Sequence, residues 1–187
     1  MYDSLALKYL KDYEGLLKKI SLDIWNHPEI GLKEFYSSHL LKLQLEKERF
    51  IINPNIAKIP TSFIATWGEG KPIIGVLGEY DALPGLSQQV LCKRKPVVKE
   101  GPGHGCGHNL LGSARLIATL TLKRLMQKEN IRGTIVFFGT PAEENLVGKV
   151  KMVKEEAFNN LDSIITWHPM DVNTIWLSST NALILLN

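Results

Sequence analysis

Hydrophobic positions Leu10, Tyr13, Leu17, Ile20 and Ile24 recur three and four residues apart, a spacing that gathers them on one face of a helix running to about Asn26. His27-Pro28 ends it, because the residue before a proline is held out of the helical region. A second helical stretch, about 33–49, mixes Leu40, Leu41, Leu43 and Leu45 with Lys42, Glu46 and Lys47, and Pro54 and Pro60 bound the connection that follows. Short β-rich runs come next, at 62–67, 73–77, 134–138 and 163–167. Two of them, Ile73-Ile74-Gly75-Val76-Leu77 and Ile135-Val136-Phe137-Phe138, are continuously apolar, which suits strands covered on both faces in a parallel or mixed sheet between helices. Between them 109–128 reads as a long helix, with Leu111, Ala114, Ile117, Ala118, Leu122 and Leu125 as its buried stripe. The order of elements is that of an α/β protein with a mixed, mostly parallel sheet flanked by helices. The single long loop, 83–107, is of a length that compact domains usually reserve for function.

Composition narrows the function classes. A chain of 187 residues, 44% hydrophobic and 22% charged, can bury a core and is not disordered. A net charge of +3, with the basic residues scattered apart from Lys93, Arg94 and Lys95, gives no footprint for nucleic acid. Asp3, Lys8, Lys11, Asp12 and Glu14 break up the first turns, so no signal-peptide core or membrane span is read there, and a cytoplasmic setting is the default expectation. Two cysteines, Cys92 and Cys106, are too few for a disulfide framework.

Three polar groups stand where the strands should end, the place where open α/β sheets put their ligand sites. In the first, residues 103–109, Cys106 and His108 are separated by one glycine just before the long helix. Thiolate and imidazole are both good ligands for a borderline divalent metal, and flanking glycines let the backbone turn both toward one point. The second is Pro141-Ala142-Glu143-Glu144, two adjacent carboxylates that offer one oxygen for a metal and one base for a water. The third is Trp167-His168-Pro169, where an apolar strand delivers a histidine. Each group has a plainer reading as well: Cys106 as a small buried hydrophobe, the Glu pair as first-turn carboxylates favoured by a helix dipole, His168 as a packing or capping residue. Their convergence on strand ends from distant parts of the sequence favours a metal site.

Taken in order, Gly78-Glu79-Tyr80-Asp81-Ala82-Leu83-Pro84-Gly85, Gly103-His104-Gly105-Cys106-Gly107-His108-Asn109, Thr140-Pro141-Ala142-Glu143-Glu144 and His168-Pro169 resemble the amidohydrolase branch of the zinc aminoacylase/carboxypeptidase (metallopeptidase) superfamily. Within it they resemble most the p-aminobenzoyl-glutamate hydrolase group, and the early run from Asp23 to Gly31 fits the branch's common opening. The resemblance implies a zinc-peptidase-like catalytic domain with Cys106, His108, Glu144 and His168 as metal ligands and Glu143 as general base. It implies two divalent cations, Zn²⁺ or Mn²⁺, and hydrolysis of the amide bond in an N-acyl or N-aminoacyl amino acid, a p-aminobenzoyl-glutamate-like or dipeptide-like small molecule. A base must take a proton from the attacking water and hand it to the departing amine, so it stands beside the metal without being used up as a ligand. Asp81 is expected either to orient a ligand or to form a turn, and His104 is read as loop.

Two features depart from the family pattern. Asn145-Leu146-Val147 stand where relatives carry glycines, and the chain is shorter than relatives that have an inserted dimerisation or lid domain and then the rest of the catalytic domain. Residues 1–187 are therefore expected to be an N-terminal part of the catalytic domain, inactive alone, from a full-length relative that forms homodimers. The competing expectation is a non-enzymatic product that keeps the fold and serves as an interaction module or has no function.

Overall fold

A computed structural model describes residues 2–172. The chain opens with helices α1 (Tyr2–Asp12), α2 (Glu14–Asn26) and α3 (Phe35–Lys47). Strand β1 (Ile51–Pro54), a 3₁₀ turn at Ile56–Lys58, and strands β2 (Phe63–Glu69) and β3 (Ile73–Gly78) follow. The long helix α4 (His108–Glu129), strand β4 (Gly133–Gly139), helix α5 (Gly148–Lys154) and strand β5 (Ser163–Ile165) complete it. The five strands form one sheet in the order β1-β2-β4-β3-β5. β1 and β2 join antiparallel, whereas β3, β4 and β5 run parallel. Among the described residues no helix is long and apolar enough to cross a membrane.

The continuous apolar runs are two-faced, as their pattern predicts. On β4, Ile135 and Phe137 enter a core shared with Ile20, Ile24, Leu41, Leu45, Phe63 and Leu116, while Val136 and Phe138 meet Met152 of α5 on the other face. Gly78 and Gly139 sit side by side at the ends of β3 and β4; a Cβ on Gly78 would run into the Phe137 ring, and one on Gly139 into the Phe63 ring. Bare backbone there lets the aromatic core close up directly beneath the strand ends. Because β3, β4 and β5 are parallel, the segments carrying Glu79 and Asp81, Glu143 and Glu144, and His168 all leave the sheet at the same edge.

Several local expectations are corrected. The first helix is split at Tyr13, whose amide is shared between the carbonyls of Tyr9 and Leu10 in a tightened turn. β1 has no apolar period to announce it: it is a half-exposed edge strand ending in a proline, where a proline is tolerated. Ala118 is exposed, and the buried side of α4 instead takes in Leu116, Leu120 and Met126 together with Arg115, Thr119 and Lys123. Packed against both the sheet and α1–α3, α4 buries more than a single stripe; the Thr119 hydroxyl donates to the Arg115 carbonyl and Lys123 pairs with Glu48. Arg115 Nη1 donates to the Ile165 carbonyl, while its Nε and Nη2 have no hydrogen-bond partner among the described residues. β5 is shorter than the apolar run suggests, three residues of the expected five.

A buried carboxylate ties the N-terminal segment to the turn carrying the Glu pair. Glu34 is fully buried, accepts the Ala142 N–H at 2.7 Å on one oxygen and accepts the Thr61 hydroxyl at 2.9 Å on the other. Burial raises its pKa, and the bonds it receives oppose that only in part. The sign follows from proton linkage: with the native value raised, the stabilisation is complete below the unperturbed 4.5 and is lost as pH rises through the native value. Glu34→Gln keeps an acceptor for Ala142 without the buried charge, so it should be at least as stable as the parent in the neutral range and lose this pH dependence. Glu34→Ala strands the Ala142 N–H and should cost about 1–3 kcal/mol. Urea unfolding across that pH range checks both; a Gln variant as unstable as the Ala variant would refute the assignment.

Candidate metal centre

His108 is the first residue of α4, and Cys106 lies two residues earlier in the tight loop that feeds the helix. Gly107 between them has φ +81°, a left-handed conformation natural to glycine, and a Cβ there would press on the Pro169 ring. That close approach brings the segment after β5 up to Cys106. His168 Nε2 stands 3.2 Å from Cys106 Sγ, and the donor atoms of Cys106, His108 and His168 all lie within 4.8 Å of one another. Glu144 joins them, with Oε1 3.9 Å from His108 Nε2. The four residues that the sequence pattern nominates as ligands, contributed by three segments of the chain, therefore occupy one place.

Asp81 organises this cluster from beneath. One of its carboxylate oxygens is 2.9 Å from His108 Nδ1, and the other accepts the Glu144 N–H at 2.9 Å. With Nδ1–H given to Asp81, the lone pair of His108 Nε2 faces the other donors, the arrangement common to metal-ligating histidines. Of the two expectations for Asp81, orientation of a ligand matches its contacts.

Among the described residues, two buried acceptors in the cluster lack donors. His108 is fully buried and its Nε2 has no hydrogen-bond partner there, and the same is true of Glu144 Oε1. Glu79 Oε2 lies 3.3 Å from that Nε2 without forming a hydrogen bond. Lone pairs facing one another in a buried space repel unless a positive charge sits among them. The electrostatic surroundings point the same way. Burial pushes the Cys106 thiol up to about 12, helped by the hydrogen bond and charge of Glu144 and by the charges of Glu143 and Glu79. Burial would lower the pKa of His108, but the Asp81 hydrogen bond and the charges of Asp81, Glu79 and Glu144 together outweigh it and raise the value. An electronegative site of sulfur, imidazole and carboxylate, short of a cation, fits a borderline divalent metal.

Glu143 points to the neighbouring side. It forms with Glu79 and His108 a second group whose donor atoms are all within 4.8 Å of one another. Here an ammonium is present: Lys149 Nζ is 2.6 Å from Glu79 Oε1 and 3.4 Å from Glu143 Oε1. Sequence reasoning assigned no role to Glu79 or Lys149. Glu79 could have been found as the residue two before Asp81, on the same side of an extended chain. Lys149 carries no such signal, because only the fold of the 141–148 turn brings it in. His104, read as loop, does lie in the loop but is buried, with Nε2 3.2 Å from the Ile24 carbonyl, and burial lowers its pKa to about 4.

Comparison with known proteins identifies the family. The chain is 46% identical over 151 residues to a p-aminobenzoyl-glutamate hydrolase polypeptide of Escherichia coli, a match covering 80% of this chain and 31% of that protein. It is 30% identical over 178 residues to the Xaa-Arg dipeptidase of Homo sapiens, covering 86% of this chain and 37% of that one. The chain thus spans about a third of the length of these curated relatives. Among solved structures, the YXEP protein of Bacillus subtilis, a dinuclear metal binding peptidase from the M20 family, superposes with a TM-score of 0.69 at 28% identity over 82% of this chain and 42% of its own. Residues 75–177, more than half of the sequence and every residue of the cluster, match peptidase family M20/M25/M40, and the chain belongs to that family.

Proposed function

We propose that this chain carries the metal centre of a two-metal amidohydrolase that cleaves the amide bond of N-acyl or N-aminoacyl amino acids, with p-aminobenzoyl-glutamate-like or dipeptide-like compounds as its substrate class. Cys106, His108, Glu144 and His168 are the ligands and Glu143 is the general base. The observation that carries the reading is the buried pair His108 Nε2 and Glu144 Oε1, without hydrogen-bond partners among the described residues, beside the Cys106 thiol. Charge supports two ions over one. With Cys106 ionised, the thiolate, Glu79, Asp81, Glu143 and Glu144 have Lys149 as the one ammonium in ion-pair contact among the described residues, an imbalance that two divalent cations would neutralise. Zn²⁺ and Mn²⁺ both suit the donors.

Bound cations supply Lewis acidity toward the scissile carbonyl and make a water easier to deprotonate. The chain's residues do the rest. Glu143, half-buried beside the ligands, accepts the proton of the attacking water and delivers it to the departing amine nitrogen. Asp81 keeps the proton of His108 on Nδ1 and fixes the Glu144 backbone, so ligand orientation survives turnover. In this reading residues 1–187 form the front part of the catalytic domain, and the rest of a longer polypeptide grips the substrate and pairs the protomers.

Calorimetric titration with Zn²⁺ and Mn²⁺ tests the reading. The wild-type chain should take up metal, Cys106→Ala should abolish tight uptake, and Asp81→Asn should weaken it roughly 10–100-fold by releasing His108. Failure of the wild type to bind either ion, or binding indifferent to Cys106, would sink it.

A further inference from the structure

Three glutamates face His108, and the structure treats them unequally. Glu79 and Glu143 each have an oxygen on the Lys149 ammonium, whereas Glu144 has a buried oxygen with no donor among the described residues. We propose that Lys149 is a positioning residue that divides these carboxylates by function: it occupies Glu79 and Glu143, keeps both out of the metal's coordination shell, and leaves Glu144 as the one glutamate free to ligate. The inference rests on the metal-centre reading above and extends it to a residue that reading does not need.

The geometry gives Lys149 the rigidity this role requires. Gly148, the first residue of α5, lies so close to the Pro141 carbonyl that a Cβ would collide with it, and the amides of Val147 and Gly148 both point to the Ala142 carbonyl, at 3.3 and 3.4 Å. Lys149 is therefore anchored to the same turn that presents Glu143 and Glu144. Its side chain is two-thirds shielded from solvent, and Glu79, its nearer partner, is almost fully buried. An ion pair held in this setting is little screened. Without the lysine, Glu79 Oε2, already 3.3 Å from His108 Nε2, becomes a full-strength donor facing the cation. The group of Glu79, His108 and Glu143 would then compete with that of Cys106, His108 and His168 for the same imidazole. A base drawn into the coordination shell is lost as a base.

Co²⁺ is the probe, because its visible d–d bands report coordination as well as binding. The 187-residue chain, stripped of metal, is titrated as wild type, Lys149→Met, Lys149→Arg, Glu79→Gln and the Lys149→Met/Glu79→Gln double variant, with circular dichroism to confirm folding. Lys149→Met should bind Co²⁺ on the order of tenfold more tightly, since an opposing charge a few ångströms from the cation is gone. Its bands should weaken as the coordination number rises. Lys149→Arg should restore the wild-type spectrum, as should Glu79→Gln added to Lys149→Met, and Glu79→Gln alone should keep the wild-type spectrum while weakening binding by no more than about tenfold, the loss of one nearby negative charge. If Lys149→Met loses its fold, Lys149→Gln, whose neutral amide still reaches toward Glu79, makes the same comparison. Wild-type uptake with unchanged or weaker binding and an unchanged spectrum in the neutral variants overturns the role of Lys149 alone. A loss well beyond tenfold together with a changed spectrum in Glu79→Gln overturns it too, by making Glu79 a ligand. A wild-type chain that takes up no Co²⁺ refutes the metal centre itself, and this inference with it.

Discussion

Replacing Glu143 with glutamine should lower turnover by roughly 10²- to 10⁴-fold in a polypeptide that carries this sequence and hydrolyses an N-acyl amino acid, with bound metal nearly unchanged. The amide keeps the size and the reach toward Lys149 but cannot accept a proton from water. Glu143 contacts the ammonium at 3.4 Å, whereas its neighbour Glu144 faces His108 Nε2 at 3.9 Å and has its backbone N–H on Asp81, so the two adjacent side chains are held for different work. Glu144→Gln and His168→Ala should therefore release metal, and activity should fall along with occupancy. Metal analysis by atomic emission beside steady-state kinetics separates the two patterns. Metal lost from Glu143→Gln and retained by Glu144→Gln would mean that the two roles are exchanged.

What made the site legible in the sequence was its dependence on short range. The proposed ligand pair Cys106 and His108 flanks a single glycine, and the Glu pair directly follows a strand whose four consecutive apolar residues announce burial on both faces. Parallel strands then gather their C-terminal ends without further information, which is why groups some 30 residues apart could be read as one site. The parts that were not legible depend on contacts made across the fold. Lys149 reaches Glu79 only because Gly148 packs on Pro141, and Glu34 reaches Ala142 across 108 residues. Neither contact leaves a period or a spacing. The exposed Ala118 is an error of a related kind: an apolar stripe assumes one buried face, whereas α4 lies between the sheet and the N-terminal helices and encloses polar residues such as Thr119, whose hydroxyl donates to the Arg115 carbonyl.

The 187-residue polypeptide by itself is expected to bind metal incompletely and to show no measurable amidase activity. Two cations that each take about four donors, with some bridging, need more than Cys106, His108, Glu144 and His168 can give. No spare histidine makes up the difference among the five in the sequence. His27 stacks on Tyr36 with ring centroids 4.1 Å apart, His39 lies on an exposed face of α3, and His104 is buried against the Ile24 carbonyl. One cation finds enough donors, and a second is held mainly by the surplus negative charge. His168 is exposed, as are Ile164 and Ile165 on the edge strand and Trp167 just after it, so water reaches the centre from that side. A hydrolytic site open in this way neither excludes solvent nor holds the substrate's carboxylate in register, and Glu143, even correctly placed, then has no oriented carbonyl to serve. Titrating the purified chain with Zn²⁺ and Mn²⁺ by calorimetry, and assaying it on p-aminobenzoyl-glutamate and N-acyl amino acids, decides the matter. Two tightly bound ions per chain together with robust turnover would show that these four ligands suffice and that the donor count is wrong.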